Sequence, residues 1–263
     1  MAGMRFACRD LTMKAHDFSD RGVGRDFEAE PTLKRPWNDF VTGRSSRNTY
    51  FCSVLFATLM MISLAAIQPW IDPRWLFLDG QTVGEMSGDC CHVYDGAFSM
   101  LGIMLWASTA ALASFSAIIF QQLYQRVDAK FALQAMLLSS ILAIDDAYLL
   151  HEIVLPKLGL PQELVLLGIG ILALTYLVAN ARRLIRSNPW LLIFSLSAFA
   201  FSIAIDQVFH SLDPVFVVFE DGAKLMGIVA WFLFHLNAFS DTLISGLRNA
   251  KTRVSVDGYS SNT

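Results

Sequence analysis

Six stretches of this chain are long and apolar enough to cross a membrane, which places most of it in lipid. They cover 50–70, 97–123, 131–154, 164–181, 190–212 and 223–247. A helix needs about 20 apolar residues to span roughly 30 Å of hydrocarbon. Turn formers separate several of the runs: Pro156, Gly159 and Pro161, then Asn188 and Pro189, then Asp213 and Pro214. The composition agrees, with 54% hydrophobic residues, 16% charged and a mean hydropathy of +0.47. Soluble domains carry about a quarter charged residues. The expected fold is therefore all-α, a polytopic membrane helix bundle with about six transmembrane helices. A cytoplasmic, partly disordered tail over 1–49 precedes the transmembrane domain at 50–247, and a second cytoplasmic tail covers 248–263.

Basic residues set the orientation, because Lys and Arg flanking a span stay in the cytoplasm. Nine lie before residue 50, then Arg126 and Lys130, then Arg182, Arg183 and Arg186, then Arg248, Lys251 and Arg253. These are 17 of the 20 in the chain; the opposite side holds Arg74, Lys157 and Lys224. The pattern alternates at every loop and predicts both termini inside, in the plasma (inner) membrane. Thirteen acidic residues fall in the outer half, giving it a formal charge of -10 against those three bases. Such an excess attracts cations, metal ions or protons. Four cysteines, Cys8, Cys52, Cys90 and Cys91, are too few and scattered for a disulfide framework. The partners expected are the lipid bilayer and other membrane subunits, and no nucleic acid.

Spans one, two and four lack ionisable side chains at their centres and read as scaffold. Span two is rich in small residues (Ala107, Ser108, Ala110, Ala111, Ala113, Ser114 and Ala117), which suits close helix contact in lipid. Spans three, five and six differ. Span three carries Asp145, Asp146, His151 and Glu152, and at 100° per residue Asp145, Tyr148 and Glu152 share one face. Span five carries Asp206 and His210, whose i, i+4 spacing stacks a carboxylate and an imidazole on one face. Span six enters with Glu220, Asp221 and Lys224, where Glu220 and Lys224 have the spacing of an ion pair. His235, deeper in that span, reads as a hydrogen-bonded core histidine. The three sets reach the same depth, and ionisable residues inside a membrane mark functional sites.

Two function classes fit this pattern, the first better than the second. One is a metal-assisted membrane enzyme, a hydrolase or oxidoreductase acting on a lipidic or small substrate. Asp145, His151, Asp206 and His210 would hold zinc, iron or copper, with Glu152, Glu220 or Asp146 as catalytic acid–base groups. The other is a cation or proton transporter using the same carboxylates. A through-path would need polar groups at every depth, yet the inner half holds mainly His235, which favours a one-sided site over a through-path. An accessory subunit of a larger membrane complex is a third reading. The loop Asp89-Cys90-Cys91-His92 with Asp95 offers further ligands or a structural cap. The segments 143–148 and 204–209 align without gaps, each followed by a histidine and a proline, as a duplicated hairpin would.

Two partial resemblances bear on the metal reading. His and Asp residues at the outer ends of several helices resemble the ceramidase-type membrane hydrolases, which implies zinc held by histidines. The last-helix His-x-x-x-His pair of that family is absent here. Asp206-x-x-x-His210 is similar to the copper-binding helix of membrane methane and ammonia monooxygenases. That pattern needs another histidine about four turns on, where this chain has Ala223. Each resemblance covers one helix.

Overall fold

A computed structural model describes residues 37–88, 92–209 and 213–260, with side chains from residue 46 to residue 248 apart from Ser87. Among these residues all regular structure is helical, with no strands. In chain order the helices are α1 (Trp37–Ile67), α2 (Pro73–Phe77), α3 (Gly80–Ser87), α4 (Ala97–Gln122), α5 (Arg126–Tyr148), α6 (Leu155–Lys157), α7 (Gln162–Arg186), α8 (Pro189–Phe209) and α9 (Pro214–Ser260). One π-helical turn, Leu150–Val154, joins α5 to α6. Residues 1–44 and 45–263 form two units. The first is described only from Trp37, where α1 begins, so a helix already runs through 37–49 and the tail expectation for 1–36 lies outside the described residues.

Five helical segments are long and apolar enough to cross a membrane: Ser46–Ile67, Ala97–Gln122, Arg126–Tyr148, Gln162–Arg186 and Pro189–Phe209. The chain is a multi-pass membrane protein. Its outward surface agrees: Phe56, Leu64, Met104, Phe115, Leu174, Val178 and Ile193 are each more than half exposed, where a soluble protein would place charge. The sixth expected span falls in α9, which is not one of the five. This helix lies at the centre instead. Ile228, Ala230, Trp231, Leu233, Phe234 and His235 on it are at most 3% exposed, so its polar residues are screened by neighbouring helices.

Small residues allow that centre to close. α4 turns Gly102, Trp106, Thr109, Ala113 and Ala117 inward at helical spacing and packs along α5 and α9. A Cβ on Gly102 would meet Ile228 at 3.1 Å, and one on Gly227 would meet the Phe199 ring at 2.7 Å. These glycines let α4 and α8 approach α9. The Ser195 hydroxyl donates to the Gly227 carbonyl at 2.8 Å, tying α8 to α9.

Two short helices cap the acidic end of the bundle. Asp72 caps α2, accepting from the Arg74 N–H at 3.0 Å, and Asp79 caps α3, accepting from Gln81 and Thr82 at 2.9 Å each. The Arg74 guanidinium beside Asp72 holds that carboxyl below its usual range. Gly96, with φ 68°, donates to the Trp75 carbonyl at 2.8 Å. A side chain there would be 2.8 Å from the Gly80 nitrogen, so only glycine fits.

Candidate functional site

The site begins where α5 breaks. Span three was expected to run unbroken through 131–154, but α5 ends at Tyr148 and Leu149 adopts a left-handed conformation with φ 50°. This conformation is costly for a leucine, and the Asp145 side chain supports it. Asp145 Oδ1 accepts from the His151 backbone N–H at 3.1 Å, and Oδ2 takes His151 Nδ1 at 2.7 Å. Within the last turn of α5, Asp145 is buried whereas Tyr148, expected on the same face, is 63% exposed.

His151 stands between two carboxylates, with Nε2 3.3 Å from Glu152 Oε1. Carboxylates accept, so both ring nitrogens are positioned as donors. Asp146 points the other way, into the bundle. Its Oδ1 pairs with Lys224 Nζ at 2.9 Å, and its Oδ2 accepts from Trp106 Nε1 on α4 at 3.0 Å. Both Asp145 and Asp146 are thus engaged, in separate partnerships. The ion pair of Lys224 crosses from α9 to α5, a neighbour that spacing along α9 could not indicate.

Asp221, one turn before Lys224, completes the cluster. Its carboxyl lies close enough to Lys224, Glu220, Glu152 and Asp146 for their charges to act on it. A small cavity of about 20 Å³ lies among Asp146, Asp221 and Lys224, walled by Phe77 and Phe98. Those two rings stack at 4.3 Å and connect the cap to the charged groups. The cavity has room for about one water molecule.

The other expected ligands are placed differently. Asp206 is bonded to its neighbour Gln207 at 2.9 Å, and this is its partnership among the described residues. The 143–148 and 204–209 echo therefore does not extend to environment: Asp145 and Asp146 enter a network, while Asp206 and Gln207 hold each other. His210, Cys90 and Cys91 lie outside the described residues. Among those described, no three His, Cys, Asp or Glu side chains are grouped to hold a metal ion. His92 stacks between Trp75 and Tyr94, with ring centroids 6.0 and 5.1 Å away, and its backbone N–H is accepted by Asp95 at 2.7 Å.

Below the charged cluster the polar groups continue. Trp231 Nε1 donates to Ser139 Oγ at 3.2 Å. His235 Nδ1 faces the Trp231 carbonyl at 2.9 Å, and Nε2 meets the Tyr176 hydroxyl at 2.7 Å. A carbonyl only accepts, so Nδ1 carries the proton. Asn180 donates to Gln134 at 2.8 Å, and Arg183 pairs with Asp128 at 2.5 Å. The expectation that the deeper half holds mainly His235 is corrected here. Counting charges passes over Tyr176, Asn180, Gln134 and Ser139, which are neutral. Trp106 was missed for the same reason, and its one signal was a lone indole on a helix of small side chains.

Among curated proteins and among solved structures nothing matches this chain. A family described as a domain of unknown function, DUF8692, matches residues 52–238, which include every group of the network. The chain belongs to the DUF8692 family.

Proposed function

We propose that this protein is a proton-translocating membrane transporter, with its charged cluster as the outer proton-exchange site. The observation that carries the reading is the ladder of paired polar side chains along α5. Asp146, Ser139, Gln134 and Asp128 follow one another on this helix. Their partners are Lys224, Trp231, Asn180 and Arg183 on α7 and α9. The Tyr176–His235 pair joins α7 to α9 at the middle of the ladder. Steps along α5 are roughly 8–11 Å at 1.5 Å per residue, distances bridged by about two or three water molecules at roughly 2.8 Å per hydrogen bond. Ser139, Trp231, Asn180, Tyr176 and His235 are buried whereas Gln134 is exposed, and polar groups buried in a membrane core are costly unless they serve a purpose.

At the head of the ladder, Asp145, Asp146, Glu152 and Asp221 outnumber Lys224 and His151. Four carboxylates against two bases favour uptake of a proton or cation. His151 and Glu152 form the entry, Asp146 and Lys224 the first internal station, and the cavity walled by Phe77 and Phe98 has the size of a water molecule. The 17-to-3 division of basic residues places this head on the outer face of the plasma (inner) membrane and both termini in the cytoplasm. In this arrangement α9 forms the sixth crossing.

The test is proton flux. Protein reconstituted in liposomes with an internal pH dye should acidify the lumen under a potassium-diffusion potential. Asp146→Asn and Tyr176→Phe should each slow that flux by about tenfold or more, as loss of a proton-transfer group does. A flux equal to protein-free liposomes overturns the reading. Stoichiometric zinc, iron or copper in a purified protein without flux would favour the metal-assisted enzyme instead.

A further inference from the structure

A second polar recess lies at the opposite, basic end of the bundle, about 450 Å³ in volume. It is set between the turn before α5, the end of α7 and the middle of α9. Small-molecule sites typically have about 300–1,000 Å³, so a small organic group fits. Gln125, Asp128, Arg183, Arg186, Thr242 and Ser245 supply its polar lining.

The charges in the recess do not all cancel. Asp128 is occupied by Arg183 at 2.5 Å, and Asp241, also on the wall, is held by Arg47. Arg186 is exposed and has no ionic partner among the described residues. The recess therefore offers one uncommitted guanidinium, the group best shaped to grip a phosphate.

A second feature is independent of charge. Gln125 Oε1 is buried, and among the described residues no donor reaches it. A buried acceptor left without a donor costs about 1–3 kcal/mol. The amide is held in place by the helix behind it: a Cβ on Gly246 would meet Gln125 Nε2 at 2.7 Å, so α9 leaves room for the amide only at a glycine. A ligand satisfying both features carries an anionic group for Arg186 and an O–H or N–H for Gln125.

The surroundings decide where such a ligand comes from. Tyr124, Val127 and Ile185, adjacent in sequence to Gln125, Arg126 and Arg186, are 89%, 66% and 70% exposed. Apolar and aromatic side chains beside arginines at the end of a span are where acyl chains meet headgroups. We infer that this recess binds the headgroup of an anionic phospholipid bearing a free hydroxyl, of the phosphatidylglycerol type. Arg186 grips the phosphodiester, and the headgroup hydroxyl donates to Gln125 Oε1.

The test measures lipid retained by the full-length protein, purified in detergent and exposed to defined lipids, by native mass spectrometry. Phosphatidylglycerol should be retained about tenfold over phosphatidylcholine, the worth of one charge-assisted contact. Arg186→Gln should remove that preference, whereas Arg182→Gln, one turn away and not on the wall, should leave it within about twofold. Gly246→Ala, which displaces the Gln125 amide without altering charge, should weaken retention of phosphatidylglycerol but not of phosphatidylmethanol, an anionic diester that has no hydroxyl. Equal retention of phosphatidylglycerol and phosphatidylcholine by the unaltered protein overturns the inference, as does an unchanged preference in Arg186→Gln. Displacement of the lipid by equimolar soluble glycerol phosphate would assign the site to a free phosphate ester and overturn the lipid assignment. None of these outcomes depends on proton flux.

Discussion

Asp145 and Asp146 are chemically identical neighbours with different work. Asp145 supports a strained backbone, accepting from the His151 N–H and ring across the Leu149 break. Asp146 faces inward and is fully engaged by Lys224 and Trp106. Removing one member of a buried ion pair leaves the other uncompensated, which typically costs about 3–5 kcal/mol, whereas replacing both by apolar groups is often neutral. The Lys224 side chain retains 39% of its exposure, so solvent screening brings the cost below that range. Lys224→Met should therefore lower stability by about 2–3 kcal/mol, and Lys224→Met combined with Asp146→Leu should recover most of the loss. Thermal unfolding of the four proteins in one detergent checks this as a double-mutant cycle. Equal stability of the single and double variants would mean the pair contributes only through its lysine.

At the scale of elements, the cap and the break in α5 decide how the site is presented. The cap depends on Gly96, which is in the left-handed region at φ 68°. Gly96→Ala adds the conformational cost of about 1–2 kcal/mol to the contact with Gly80. Hydrogen exchange over 73–87 should then rise while exchange in α7 stays as it was; unchanged protection in the cap would remove the argument. The cap should also respond to acid. The Asp72 carboxyl is held below its ordinary value of 3.8, first through its hydrogen bond to Arg74. A group lowered in this way stabilises the fold above its unfolded pKa and loses that contribution as pH falls through the folded one. Protection of the α2 amides, corrected for the intrinsic pH dependence of exchange, should accordingly fall as pH drops below about 4, and Asp72→Asn should show that loosened state already at neutral pH.

For the molecule as a whole, the arrangement of helices around α9 is the main result. α9 has 47 residues, about 70 Å at 1.5 Å per residue, more than twice the hydrocarbon thickness. Reporters fused at residue 130 and at the C-terminus should read cytoplasmic, and reporters at residues 79 and 213 external. The basis is the division of basic residues together with α9 as a sixth crossing. A C-terminus on the external side would leave five crossings and remove α9 from their number.

The membrane class and the approximate ends of most spans were legible in the sequence, because they depend on quantities that run along one dimension. Apolar length, turn formers and the 1.5 Å rise are properties of a single helix and need no neighbour. The groups at the site were legible only in part. Asp145, Asp146, His151 and Glu152 stood out as ionisable residues in an apolar run, and the role of His235 as a bonded core histidine followed from its isolation. The partnerships were not legible. Rotation about each helix axis and the choice of neighbours are set by packing at Gly102, Gly227 and Phe199, and they put Trp106 on Asp146, Lys224 across from its own helix, and Tyr176 on His235. The same packing leaves Asp206 with Gln207. A residue's depth comes from its own helix, but its partner comes from the helix beside it, and only the tertiary structure specifies that.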